Sequence, residues 1–94
     1  MIRAMQVPDR EVKDAAIRTL GGIGTGARAA VPALAAALSD PDAHIRQSAA
    51  EVLGRFGSLA ARAEAALRRA LEDPESEVRR AASEALLNIL QSEK

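Results

Sequence analysis

The chain has 94 residues, 48% of them apolar, with one aromatic side chain (Phe56), no cysteine, and 13 basic residues against 13 acidic ones. That length makes one small domain with a thin core, burying about 60–65% of its unfolded surface, and the missing thiols exclude a disulfide framework, a thiolate metal site and a redox role. The formal net charge of zero leaves no global field toward nucleic acid or anionic lipid, and with neither a signal-peptide core nor a run of roughly 18 apolar residues the expectation is a soluble cytoplasmic protein with no membrane partner.

Twenty-two alanines, with Leu, Ile and Val in place of aromatics, point to helices lying tightly against helices, an all-α chain. The first element is a short helical remnant near 1–6, carrying Met1, Ala4 and Met5. A helix over 9–22 follows Pro8, with Val12, Ala16 and Leu20 among its apolar positions, and Gly21, Gly22, Gly24 and Gly26 then end the helix and turn the chain. They do not form a phosphate loop, which needs a preceding strand and a following Gly-Lys-Ser/Thr. The next helix, over 28–38, carries the i, i+4, i+7, i+8 stripe Ala30, Leu34, Ala37, Leu38. It breaks at Ser39-Asp40-Pro41, where Asp40 reads as the cap of the following helix and Pro41 as its first helical residue. That helix, over 41–55, turns Ile45, Ala49, Val52, Leu53 and Phe56 inward, and Gly54 and Gly57 suit a left-handed cap at its end. Helices over 61–71 (Leu67, Ala70, Leu71) and 74–91 (Val78, Ala82, Ala85, Leu86, Ile89) repeat the pattern.

The repetition has a fixed period. Pro8, Pro41 and Pro74 are 33 residues apart, and their surroundings align without a gap. Val12, Ile45 and Val78 share a column, as do Lys13, Arg46 and Arg79; Ala16, Ala49 and Ala82; and Leu20, Leu53 and Leu86. Each unit is a helix A followed by a helix B, and the units run over about 1–24 (truncated at its start), 25–57 and 58–94. Ankyrin repeats share the period, but their Thr-Pro-Leu-His-type turn is absent, and tetratricopeptide units need aromatic positions that this chain lacks.

The run Ala30-Val31-Pro32-Ala33-Leu34 to Leu38-Ser39-Asp40-Pro41, then Ile45-Arg46, Ala49-Ala50, Leu53-Gly54 and Phe56-Gly57, resembles the HEAT-like repeat of the phycobilin-lyase type. The resemblance covers nearly the whole chain. It implies a right-handed α-solenoid (α-α superhelix) of about five helices plus the N-terminal remnant. It also implies a polar ladder between repeats, built from the turn aspartate and the arginine six residues on: Asp40/Arg46 and Asp73/Arg79. The first unit departs from the pattern with Val7 and Lys13.

The remaining polar residues favour scaffolding over chemistry. Arg46 and Arg79 each follow a core Ile or Val, which suits inter-repeat bracing better than anion binding. His44, the lone histidine, lies in the first turn of a helix, where the dipole disfavours imidazolium, and no second His or Cys completes a metal site. It reads as an ordinary surface residue. Asp40, Asp42, Asp73, Glu75 and Glu77 cluster at the turns, where the macrodipole favours acids. Arg62, Arg68, Arg69, Arg79 and Arg80 make the C-terminal half arginine-rich, but Glu64, Glu72, Glu75 and Glu77 are interleaved, and Glu64–Arg68 and Glu75–Arg79 have helix-pair spacing. A mixed solvated face is favoured over a nucleic-acid interface.

These readings lead to a non-enzymatic protein–protein interaction or scaffold module with no cofactor and no metal. Its partner-binding residues are expected on the helix B face, the concave one in such stacks: Asp14, Gln47 and Arg80; Arg18, Glu51 and Glu84; and Arg55 and Asn88. A second expectation is self-association, as a homodimer, through apolar ends formed by Met1, Ile2, Met5, Leu87 and Leu90, because a solenoid needs polar caps and these ends lack them. The alternatives are a bilin lyase or its accessory subunit, implied by the resemblance alone, and nucleic-acid binding by the Arg-rich half.

Overall fold

The structure is a computed structural model that describes residues 11–19 and 27–92. The remnant near 1–6 and the glycine turn at 21–26 lie outside the described residues. Helix α1 covers 11–19; α2 is Ala27–Ala37, α3 Ala43–Phe56, α4 Glu64–Ala70 and α5 Ser76–Ser92. A 3-10 segment, Gly57–Ala63, joins α3 to α4, and there is no strand among the described residues.

Helices α2 and α4 are the A helices, and α1, α3 and α5 the B helices. The most extensive packing is between α3 and α5, with α2 against α3 and the 3-10 segment, and α4 against α5. The Cα trace measures 51 × 31 × 15 Å, the thin dimension being that of two helices roughly 10 Å apart. The stripes seen in the sequence meet in this seam. Leu34, Ile45, Leu53, Leu67, Val78 and Ile89 are the largest fully buried side chains. Ala49, Ala50, Ala81, Ala82 and Ala85 fill the space between them, and Phe56 is half-buried against the same cluster.

Several local expectations are corrected. The B helices start two residues later than the prolines suggest, at Ala43 and Ser76. Asp40 does not cap α3: its Oδ1 accepts the Asp42 N–H at 2.8 Å, closing a turn around Pro41, and Asp42 is the cap, accepting the His44 N–H at 2.9 Å. Asp73 repeats the turn, accepting the Glu75 N–H at 2.9 Å. A turn aspartate that binds two residues ahead holds the chain extended through the proline, so helix formation waits for the next side-chain acceptor.

Gly54 is a helical residue of α3 and no part of a left-handed cap. Among the described residues Gly57 alone has positive φ (59°), and its N–H returns to the Gly54 carbonyl. The start of the third unit's A helix is 3-10, with Ala60 outside helical φ/ψ (−96°, 16°). Tight 3-10 winding lets small Ala60 and Ala63 enter the core while the chain reverses.

Helix α1 also departs from its column. Ile45 and Val78 are buried, but Val12 is 62% exposed and Ala16 is exposed, with Ile17 buried instead. Only the side of α1 that faces the next repeat is covered.

Candidate functional site

A basic residue on each of the first two B helices reaches the turn aspartate of the following unit. Arg46 Nε and Nη2 donate to Asp73 Oδ2 and Oδ1 at 2.7 and 3.1 Å, while Nη1 donates to the Asp40 and Pro41 carbonyls at 2.7 and 3.1 Å. The guanidinium therefore closes its own turn and grips the next one, with little of either side chain in solvent. Lys13 makes the corresponding contact to Asp40 at 2.9 Å, so the first unit supplies a rung despite lacking the arginine. Arg79 Nη1 donates to the Asp73 carbonyl at 2.7 Å, reproducing the closure of its own turn.

Burial pushes the Asp73 carboxyl up, but the Arg46 hydrogen bonds, the Glu75 N–H and the nearby positive charges outweigh it, so the group lies below its ordinary range. Asp40 is likewise lowered: burial opposes, and the Asp42 N–H, Lys13 and Arg46 prevail.

The helix B columns converge on two adjoining grooves. Between α1 and α3, a groove of about 290 Å³ is lined by Arg18, His44, Gln47, Ser48, Glu51, Val52 and Arg55. Between α3 and α5, one of about 390 Å³ has small residues, including Ala50, Gly54 and Ala85, along its floor and Glu51, Arg55, Glu84 and Asn88 at its sides. Glu51 and Arg55 border both. Gln47 Nε2 donates to Glu51 Oε2 at 3.1 Å, and Asn88 Nδ2 reaches the Gly54 carbonyl at 3.4 Å. Arg80 is exposed on α5 but lines neither groove.

Asp14 is already engaged: its carboxylate accepts from Ser48 Oγ at 2.9 Å, lies 3.1 Å from Arg18 Nε and 3.3 Å from His44 Nε2, and so ties α1 to α3. Ser48 and His44 were not singled out by the helix B columns. The available signal was Ser48 itself, a hydroxyl in the column occupied by Ala15 and Ala81. His44 gave none, because its partner lies 30 residues away in sequence. Of the expected helix pairs, Glu64–Arg68 forms at 2.7 Å; Glu75–Arg79 is not among the ion pairs of the described residues.

The grooves carry both signs of charge, hydrogen-bond donors and acceptors, and a floor of small side chains, a chemistry suited to an extended or helical polypeptide. No group of three or more metal-ligating side chains is placed together among the described residues. No helix of the described residues is long and apolar enough to cross a membrane.

The sequence model of HEAT repeats matches residues 1–88. The chain belongs to the HEAT repeat family. No curated protein and no solved structure matches it. HEAT repeats generally act as protein-interaction scaffolds without catalytic activity. Within that family setting, the remaining expected site lies at the ends of the stack. Met1, Ile2 and Met5 fall outside the described residues; Leu87 and Leu90, on α5, are 55% and 42% exposed.

Proposed function

We propose that this HEAT-repeat chain is a non-enzymatic protein-interaction module. Its three units, about 1–24, 25–57 and 58–94, stack as a right-handed α-solenoid and receive a polypeptide along the helix B face. The observation that supports this reading most directly is the pair of adjoining grooves bordered by Glu51 and Arg55. A segment lying across α3 would meet Arg18 and Gln47 on one side and Glu84 and Asn88 on the other. The mixed charge favours a partner of alternating acidic and basic side chains, selected by register more than by net charge. Kinship with phycobilin-lyase-type repeats, suggested by Asp40/Arg46 and Asp73/Arg79, is part of this proposal at the level of repeat type and brings no lyase chemistry with it.

The test places a photoreactive side chain at position 47 or 88 of the whole chain and, as a control, at exposed Ala36 on helix A. Cross-linking in cells is expected from 47 and 88 to the same protein, and its loss on combining Arg55→Glu with Glu84→Arg, with the helical circular dichroism unchanged. Adducts from position 36 alone, or adducts indifferent to the charge reversal, would refute a helix B site.

A further inference from the structure

The two helix B grooves differ in charge, and the difference comes from one column of the repeat. Arg18, Glu51 and Glu84 occupy that column. The α1–α3 groove therefore has an arginine facing a glutamate across its walls, whereas the α3–α5 groove has two glutamates. Arg55 lines both.

Two features leave the bases of the first groove available. Glu51 and Arg55 have helix-pair spacing, yet Glu51 Oε2 accepts the Gln47 amide at 3.1 Å, and exposed Arg55 makes no hydrogen bond or ion pair among the described residues. Arg18 is held from behind. Its Nε lies 3.1 Å from Asp14 Oδ2, while 71% of its side chain is exposed against 16% for Asp14. A guanidinium has several N–H donors, so this contact orients Arg18 and leaves donors for a second acceptor, as Arg46 serves two at once. Asp14 is further engaged by Ser48 Oγ at 2.9 Å and His44 Nε2 at 3.3 Å. The acid inside the junction is thus committed, and the bases at its surface are open. The α3–α5 junction has no such hub, since Gln47, Ala81 and Glu77 stand where Asp14, Ser48 and His44 do.

We infer that the α1–α3 groove is the acid-reading half of the helix B face, taking an aspartate or glutamate side chain of a partner polypeptide between Arg18 and Arg55. A carboxylate there meets two guanidinium groups, whose planar forks match it, and one competing acid, Glu51. In the α3–α5 groove the same carboxylate meets Arg55 and two acids. A nucleic acid fits less well, because its closely spaced phosphates must run past Glu51 and Glu84. The inference rests on the helix B face being a polypeptide-binding surface. It adds the direction in which the partner crosses α3, with its acidic side chain over α1–α3 and away from Glu84.

The probe is a library of random peptides displayed on phage and selected on the immobilised whole chain, the selected peptides then being titrated into the isotope-labelled protein. Peptides that shift the amides of Arg18, His44, Gln47 and Arg55 are expected to share an aspartate or glutamate. Arg18→Glu should weaken them at least about tenfold. Arg55→Glu, which breaks no contact within the fold, should do the same and keeps the test valid if Arg18→Glu disturbs α1. Replacing the peptide's acidic residue by lysine should restore binding to the double variant Arg18→Glu/Arg55→Glu, and selection on that variant should enrich lysine and arginine at the same place. Glu84→Gln should leave the acidic peptides bound as tightly as before.

Helix B binders without an acidic preference, or equally tight on the charge-reversed protein, would overturn the inference while leaving the helix B face a binding site. Shifts of the acidic peptides centred on Ala81, Glu84 and Asn88 would overturn it too. So would displacement of the peptides by an equal concentration of single-stranded DNA, which would assign the groove to nucleic acid. Failure to select any helix B binder, together with no cross-link from positions 47 and 88, would overturn the interaction reading itself along with this one.

Discussion

At the scale of single residues, Arg46 joins two repeats because its planar fork serves two acceptors at once. Three of its nitrogens are engaged, two on Asp73 and one on the turn carbonyls of its own unit. Removing it leaves the Asp73 carboxylate largely buried and short of its partner, which costs about 2–3 kcal/mol. Arg46→Ala should therefore lower the unfolding free energy in urea by that amount. Arg46→Lys, which keeps the charge and loses the fork, should recover part of it. Arg79→Ala is the control, because that side chain donates to one carbonyl from an exposed position and should cost no more than about 1 kcal/mol. An equal loss from both alanine variants would show that turn closure, and not the inter-repeat pair, supplies the stabilisation. The spacing of Asp40 from Arg46 and Asp73 from Arg79 was visible in the sequence because it lies within one unit. The contacts of Lys13 with Asp40, Ser48 with Asp14 and His44 with Asp14 were not, because they span 27 to 34 residues and depend on how far one B helix slides along the next.

At the scale of elements, one column of the repeat holds Gly54 in α3 and Leu87 in α5, and the two positions have opposite tolerances. At Gly54 the helices meet with the Ala85 backbone 3.1 Å from any added Cβ, so a leucine side chain must force α3 from α5. Overpacking of this kind costs about 1–3 kcal/mol or more, against a gain of about 0.8 kcal/mol from replacing glycine in a helix. Gly54→Leu should therefore destabilise the chain by at least about 1 kcal/mol in thermal or urea melts followed by circular dichroism. Leu87→Gly, on the exposed side of α5, should cost about 1 kcal/mol from helix propensity and leave the α3–α5 seam unchanged. A neutral Gly54→Leu would contradict the close seam. The apolar stripes of α2, α3, α4 and α5 were legible because burial repeats every three or four residues. Gly54 looked like a terminator because glycine serves caps and close approaches equally well, and only the position of α5 separates the two uses. The stripe of α1 was misread because a column records the register of a residue and not its burial: Val12 shares its column with buried Ile45 and Val78 and is 62% exposed.

At the scale of the whole molecule, a repeat stack is stabilised by each unit and by each junction between units, and both junctions here include a carboxylate held by a base: Asp40 with Lys13, and Asp73 with Arg46. Period, helix class and pair arrangement were open in the sequence because each unit repeats the same pattern. At the C-terminal end Leu87 and Leu90 were legible as replacing the glycines at 54 and 57, and the structure places both, with Arg79, among the exposed residues of α5. The two junction carboxyls also set how the stack responds to acid. Both are lowered in the folded state, so the folded chain binds protons there less readily than the unfolded chain, whose carboxyls titrate near about 3.9. A lowered folded value contributes stability that is complete above the unfolded value and is lost as pH falls through the folded one. The urea midpoint should therefore hold from about pH 7 to 5 and drop below about pH 4 as Asp40 and Asp73 protonate. The double change Asp40→Asn and Asp73→Asn removes both charges. It should give a lower midpoint at neutral pH and a shallower fall in acid, so that the two curves converge toward about pH 2. The other acidic residues titrate alike in both proteins, so the difference between the curves isolates the two junctions. Parallel curves from pH 5 to 2 would mean that the ladder positions the repeats without contributing to their acid sensitivity.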